Sequence, residues 1–161
     1  MYRFELRKSV TGDAGIKIAQ PISRVFGYVA LDFFENYPKW ALEVIEFKAI
    51  NSNPMQVGAL ARQTRIEQGQ KAETTFEVEA LQNNELLVLS GLSAPFKNSY
   101  HFQSVHHDEA TLLTFSVEIM QIEVYMRPFI KLISAAIEEG AHNTVENIKM
   151  LLETEVATES K

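Results

Sequence analysis

Arg62, Thr64, Asn98, Tyr100, Thr144 and Asn147 are the polar residues whose positions could carry chemistry in this chain. Four of them alternate with apolar residues along strand-like segments, and two fall on or beside the apolar arc of a long helical pattern. On the segment Gly58–Glu67, the face Leu60, Arg62, Thr64, Ile66 carries a guanidinium among apolar neighbours. A buried guanidinium stripped of its partner costs about 3–5 kcal/mol. Arg62 is therefore paired, extended toward a rim, or waiting for an acidic or carbonyl ligand. Asn98, Tyr100 and Phe102 share one parity, and a buried Tyr100 hydroxyl needs an acceptor. Thr144 and Asn147 reach either a ligand, the backbone or water.

Other constellations exclude more than they offer. The chain has no Cys, so it has no disulfide, thiolate metal site or Cys nucleophile. His106-His107-Asp108-Glu109 looks like a metal cluster but sits in a hairpin turn, where adjacent side chains diverge, so no metal is expected. His101 is on the outward parity with Ser99 and Gln103, and His142 is on a polar helix face. No His meets a Ser and an Asp, which argues against a nucleophilic triad. Neither a P-loop nor a GxGxxG occurs, so no phosphate-cradling cofactor site is expected.

The 161 residues fit one domain, 1–161, with residues 153–161 as a frayed tail. A chain of this size buries roughly 70% of its unfolded surface. Apolar residues make up 46% and charged residues 22%, and the net charge is −6. The negative balance disfavours nucleic acid and anionic lipid as partners. No run approaches about 18 apolar residues, so no membrane insertion is expected. MYRFELRKSV alternates too much for a secretion signal, and a cytoplasmic protein is the default expectation. Oligomeric state leaves no trace in the sequence.

The elements that must position these residues follow from periodicity. Tyr2–Val10 alternates like a strand, Thr11-Gly12-Asp13 signals a turn, and Gly15–Ala19 is extended; the first segment is either an extra strand or part of one long bulged strand running to Gln20. Pro21 opens a short helix with Ile22, Val25, Phe26 and Val29 on one face. Phe33–Asn36 begins a second helical turn that Pro38 breaks. Phe33, Phe34, Tyr37 and Trp40 then cluster where short helices meet a sheet rim. They form either a hydrophobic plug or a gate at a cavity entrance, since Tyr and Trp suit places apolar on one side and wet on the other.

From Glu43 the period becomes two. Strands are expected at Glu43–Ile50, Gly58–Glu67, Lys71–Leu81, Leu86–Leu92, Lys97–Val105 and Thr111–Ile122, joined by short turns that imply an antiparallel meander. The loop Asn51–Pro54 and the turns Gly69-Gln70, Gln82–Glu85 and His106–Ala110 separate them. Gly91 suggests a bend or bulge. Ile45, Phe47, Leu60, Phe76, Val78, Tyr100, Phe102, Leu113, Phe115, Val117 and Ile119 are assigned inward. After Arg127-Pro128 the period is 3.6 to about Glu153. Phe129, Ile133, Ala136, Ile137, Gly140, Ala141, Thr144, Ile148 and Leu151 share a broad arc. Such a helix is about 39 Å long and must lie on the sheet.

This order resembles the START-like superfamily, most closely its polyketide cyclase/dehydrase branch. The matching stretches are Ile18–Val29, Asn36–Trp40, Val57–Ile66, Ala72–Leu81, Ala110–Ile119 and Asn143–Glu153. Ser23-Arg24 departs from the acidic residue usual after the helix-opening proline, and HHDEAT lacks the glycine often found before the Thr of the last strand. The resemblance implies an α+β helix-grip fold. A curved antiparallel sheet of about seven strands wraps a long C-terminal helix, with two short helices after the first strand. It also implies an internal cavity for an apolar or mixed-polarity small molecule: a lipid, isoprenoid or polyketide-like compound. The alternative is a cyclase or dehydratase acting in the same cavity. The expected lining is Arg62, Thr64, Phe76, Val78, Asn98, Tyr100, Phe102, Phe115, Ile133, Ile137, Thr144 and Asn147. Phe33, Phe34, Tyr37 and Trp40 are expected at the entrance.

Overall fold

The structure is a computed structural model that describes residues 9–51, 54–67, 69–92 and 94–159, with backbone alone for 155–159. Among these residues one antiparallel sheet has seven strands: β1 Val10–Ile18, β2 Val44–Ala49, β3 Leu60–Glu67, β4 Gln70–Gln82, β5 Leu86–Gly91, β6 Phe96–Val105 and β7 Ala110–Ile119. The spatial order is β1-β7-β6-β5-β4-β3-β2, so β2 to β7 is an uninterrupted meander and β1 closes on its last strand. Between β1 and β2 lie α1 Ile22–Phe26, a π-helical turn Gly27–Leu31 and α2 Phe33–Trp40. After β7 a 3-10 turn over Val124–Phe129 leads into α3 Ile130–Glu159.

Four local expectations change. Thr11-Gly12-Asp13 is not a turn but lies inside β1, paired across to Glu118, Val117 and Ser116. The strand reading of Tyr2–Ser9 falls mostly outside the described residues. Pro38 does not end α2; it sits inside the helix. An eight-residue helix loses one hydrogen bond to the proline, while its buried face Phe33, Asn36, Tyr37 and Trp40 holds the segment in place. The helix α3 runs on to Glu159 rather than ending near Glu153. Bulges shift two strands: Ile45 is the extra residue opposite Arg65 and Thr64, and Glu79 the extra residue between Val78 and Ala80. Ile45 is therefore 46% exposed instead of inward, and beyond Glu79 it is Leu81 that packs on the core.

The largest difference is on β3. Ala59, Ala61 and Gln63 are buried, whereas Arg62 is exposed. Gly58 takes a φ of +92°, a left-handed turn that glycine reaches without steric cost. The strand proper starts at Leu60, and its parity is the reverse of the one expected from the apolar Leu60 and Ile66. Leu60, Arg62, Thr64 and Ile66 thus face away from α3, and Ala61, Gln63 and Arg65 face the concavity.

Two groups of side chains cover the concave face. The C-terminal half of α3 places Ala141, Val145, Ile148 and Leu152 against β1 and β7. Its seat is pinned at the end, where Glu153 accepts from the Ala19 N–H at 3.0 Å and from Lys149 at 2.6 Å. Those donors, the Ala19 N–H first, hold the Glu153 carboxyl below the usual carboxylate range. The other cover is aromatic. Phe33 is fully buried and contacts Phe34, Tyr37, Trp40, Phe47, Phe76 and Tyr100, with ring centroids 4.7–6.2 Å apart. Edge-on and offset pairs at such spacing add about 0.5–1.5 kcal/mol each beyond burial.

Two glycines permit close approaches. A Cβ on Gly12 would lie 2.8 Å from the Ile137 side chain and 2.9 Å from the Glu138 nitrogen, so β1 and α3 meet backbone to backbone. One on Gly91, the last residue of β5, would run into the Ala94 carbonyl oxygen and the Phe96 ring, so the chain needs glycine there. Gly12→Ala is expected to destabilise the fold by about 1–3 kcal/mol. Gly27→Ala, in right-handed helical backbone with open space around it, is expected to stabilise it by about 0.4–1 kcal/mol. Urea denaturation of both variants beside the parent reads the two signs.

Candidate functional site

Between the aromatic cover and the N-terminal half of α3 the sheet is left bare. Ile133 and Ile137 are only half-buried, and Ala136 and Gly140 are exposed. The space left is a cavity of about 500 Å³. Its inner wall is Tyr100, Asn98 and Phe96 of β6 with Phe115, Val117 and Ile119 of β7. Tyr37, Trp40 and Ala41 form one end, Gln63, Arg65 and Thr74 the side toward β3 and β4, and Ala136, Ile137, Gly140 and Thr144 the lid. Glu43 and Glu67, with side chains 43% and 59% exposed, stand at the mouth.

The expected lining divides in two. Asn98, Tyr100, Phe115, Ile137 and Thr144 do line the cavity, as do Tyr37 and Trp40 from the entrance set. Phe76, Val78 and Phe102 face the same concavity but are packed solidly in the core. Phe33 is the buried centre of the aromatic cluster, and Phe34 flanks it against Phe47. Neither borders the cavity. Ile133 lies on α3 beyond the lid residues. Asn147 is turned to the backbone and donates to the Trp40 carbonyl at 3.0 Å, tying α3 to the end of α2. Arg62 and Thr64 lie on the opposite side of β3 for the parity reason given above.

The parity reversal puts Gln63 and Arg65 in their place, and with them a polar chain that the sequence reading missed. The Tyr37 hydroxyl donates to Gln63 Oε1 at 2.8 Å, and Gln63 Nε2 donates to Thr74 Oγ1 at 3.2 Å. Arg65 Nη1 donates to the Tyr37 oxygen at 3.4 Å, while Nη2 is bonded to Glu43 and Nε faces Glu67 Oε2 at 3.4 Å. Deeper in, Trp40 Nε1–H donates to the Tyr100 oxygen at 3.3 Å. The Tyr100 proton has no acceptor among the described residues, and neither Asn98 nor Thr144 has a side-chain partner there. These are the polar groups left over for something inside.

Burial pushes the Tyr37 phenol up to about 12, against the opposing pull of Arg65. It pushes Tyr100 still higher, helped by the neighbouring Tyr37. Desolvation disfavours a phenolate, so both rings hold their protons and serve as hydrogen-bond donors. Among the described residues no three His, Asp or Glu side chains come together to hold a metal ion. No described helix is long and apolar enough to cross a membrane.

The pH dependence of stability tests the buried phenol. The folded state keeps the Tyr37 proton to a higher pH than the unfolded state does. Its stabilising contribution is therefore complete below pH 10, the ordinary phenol value, and is lost as pH rises through about 12. Tyr37→Phe is expected to flatten this alkaline loss. At neutral pH it should cost about 1–3 kcal/mol, because Gln63 loses its donor. Tyr125→Phe, at a ring 74% exposed, should do neither. Guanidinium midpoints from pH 8 to 12 measure all three chains.

Comparisons with known proteins place the fold. No protein-family model matches the chain, and no curated protein matches its sequence. Solved structures do. The Zhui aromatase/cyclase from Streptomyces sp. R1128 superposes with a TM-score of 0.76 at 13% identity, over 92% of this chain and 96% of that one. A protein from Thermus thermophilus gives 0.70 at 16% identity, over 87% and 94%. Norcoclaurine synthase from Thalictrum flavum, in complex with dopamine and hydroxybenzaldehyde, gives 0.70 at 12% identity, over 93% and 90%. With the seven-stranded curved sheet and the long terminal helix, these likenesses show that the chain has the helix-grip fold of START-like proteins.

Proposed function

We propose that this chain encloses a small molecule of apolar or mixed polarity between its sheet and α3. The observation that carries this reading is the cavity of about 500 Å³, inside the range of about 300–1,000 Å³ usual for small-molecule sites. Its walls are mainly aromatic and aliphatic, with Tyr37, Trp40, Phe96, Tyr100 and Phe115 supplying rings for a flat or lipid-like body. Asn98, Thr144 and the Tyr100 O–H supply the few polar groups that would fix orientation. That a norcoclaurine synthase of this fold holds two small aromatic molecules supports the same reading. The ligand fits the description of a lipid, isoprenoid or polyketide-like compound.

A cyclase or dehydratase using the same cavity is the second reading, and the protonated Tyr100 phenol, whose O–H is not spent on the protein, is what favours it. It could polarise a substrate carbonyl. Proton abstraction needs a base as well. No His lines the cavity, and its carboxylates, Glu43 and Glu67, are at the mouth beside Arg65. Binding without chemistry therefore fits the residues better.

Trp40 is the only Trp and lines the cavity, so its fluorescence reports on the site alone. Titration with N-phenyl-1-naphthylamine is expected to quench Trp40 as the dye brightens. Ala136→Trp, at an exposed lid position, is expected to weaken dye uptake by about tenfold or more. Stability should change by less than about 0.5 kcal/mol. Uptake unchanged by the added ring would contradict the site.

A further inference from the structure

The mouth of the cavity carries a charge pattern that bears on what can enter. Glu43, Arg65 and Glu67 are the charged side chains among the lining residues. Arg65 spends its guanidinium on the protein itself: Nη2 on Glu43, Nε toward Glu67 at 3.4 Å, and Nη1 on the Tyr37 oxygen at 3.4 Å. Two carboxylates against one guanidinium leave the mouth with one net negative charge. The chain as a whole adds to that sign, at −6. Deeper in, the unspent polar groups are neutral: the Tyr100 hydroxyl, Asn98 and Thr144.

An organic acid entering here meets no open cation. To pair with Arg65 it must displace a carboxylate already bonded there, and otherwise it sits beside like charge, which is repulsive. An amine meets two partly exposed carboxylates, Glu43 and Glu67, that outnumber the one guanidinium between them, so its charge is attracted. A neutral molecule disturbs neither, and can accept a hydrogen bond from Tyr100. We infer that the mouth is a charge filter: Glu43 and Glu67 make the cavity select neutral or amine-bearing apolar molecules and turn away organic acids. This rests on the binding reading above and names the class of ligand for it. It reverses what an inward Arg62 would have implied, an arginine open to acidic ligands.

The test uses the full chain with N-phenyl-1-naphthylamine as a neutral reporter and two competitors of one ring system, 1-naphthylmethylamine and 1-naphthoic acid. The amine is expected to displace the reporter at about threefold to tenfold lower concentration than the acid, as befits partly exposed charges. The gap should narrow with added salt. In the Glu43→Gln/Glu67→Gln double variant Arg65 is released, and the order should invert. Both substitutions are at exposed side chains, and a thermal melt confirms that the variant folds. A parent chain in which the acid competes as well as the amine, or a ratio that the double variant does not move, overturns the filter while leaving the cavity reading intact. Failure of the neutral reporter to bind at all overturns the cavity reading, and the filter with it.

Discussion

The inner face of the sheet is broader than one helix, and where α3 comes to rest decides everything else about the site. It rests at one edge. Gly12 lets β1 approach the α3 backbone at Ile137–Glu138, and Glu153, Lys149 and Asn147 tie the helix to the Lys17–Ala19 segment and to Trp40. With α3 held over β1 and β7, the middle of the sheet needs a second cover. The aromatic cluster around Phe33 supplies it, in contact with Phe47 of β2, Phe76 of β4 and Tyr100 of β6. Neither cover reaches the stretch beside Asn98, Phe115 and Val117, and the cavity is that remainder.

The two ends of the cavity differ in kind because the elements that make them differ. At the α2 end, Tyr37 and Trp40 are rings of the packed cluster that happen to present one edge to the space. Their polar atoms are already bonded, to Gln63 and Tyr100. They give a rigid wall, since moving either would disturb Phe33, Phe47 and Phe76. At the lid, Ala136, Ile137 and Gly140 belong to the half of α3 with few buried side chains, and this half is set on β1 by the close backbone approach at Gly12.

The fold was readable from the sequence because it rests on features with long periods. The 3.6 pattern of α3, the run of alternating segments from Glu43 and the Pro21 helix start each extend over enough residues to survive local irregularity. The site was read only in part because it depends on single residues. Asn98, Tyr100 and Phe115 were placed correctly, since β6 and β7 pair without a shift. Gln63 and Arg65 were missed because the larger apolar residues of β3, Leu60 and Ile66, are on its outward parity, and alternation alone gives no sign of it. The apolar Leu60 and Ile66 pointed the wrong way, while the small Ala59 and Ala61 are the buried ones. Ile45 was misplaced by a bulge that adds one residue to a strand and leaves no mark in hydropathy. Pro38 was read as a break because its effect on the backbone is local, whereas what holds α2 is the tertiary packing of Phe33, Tyr37 and Trp40.

The central claim is that the space between β6, β7 and the first half of α3 takes up a small molecule. The most direct measurement is a map of backbone amide chemical-shift changes on adding N-phenyl-1-naphthylamine to isotopically labelled protein. The account predicts saturable shifts concentrated at Gln63, Arg65, Asn98, Tyr100, Phe115, Ile137 and Thr144, with the outward residues Arg62, His101 and Gln103 unmoved. Shifts confined to the outer side of α3 around Lys149 and Met150, or spread evenly over the sheet's outer face, would contradict it.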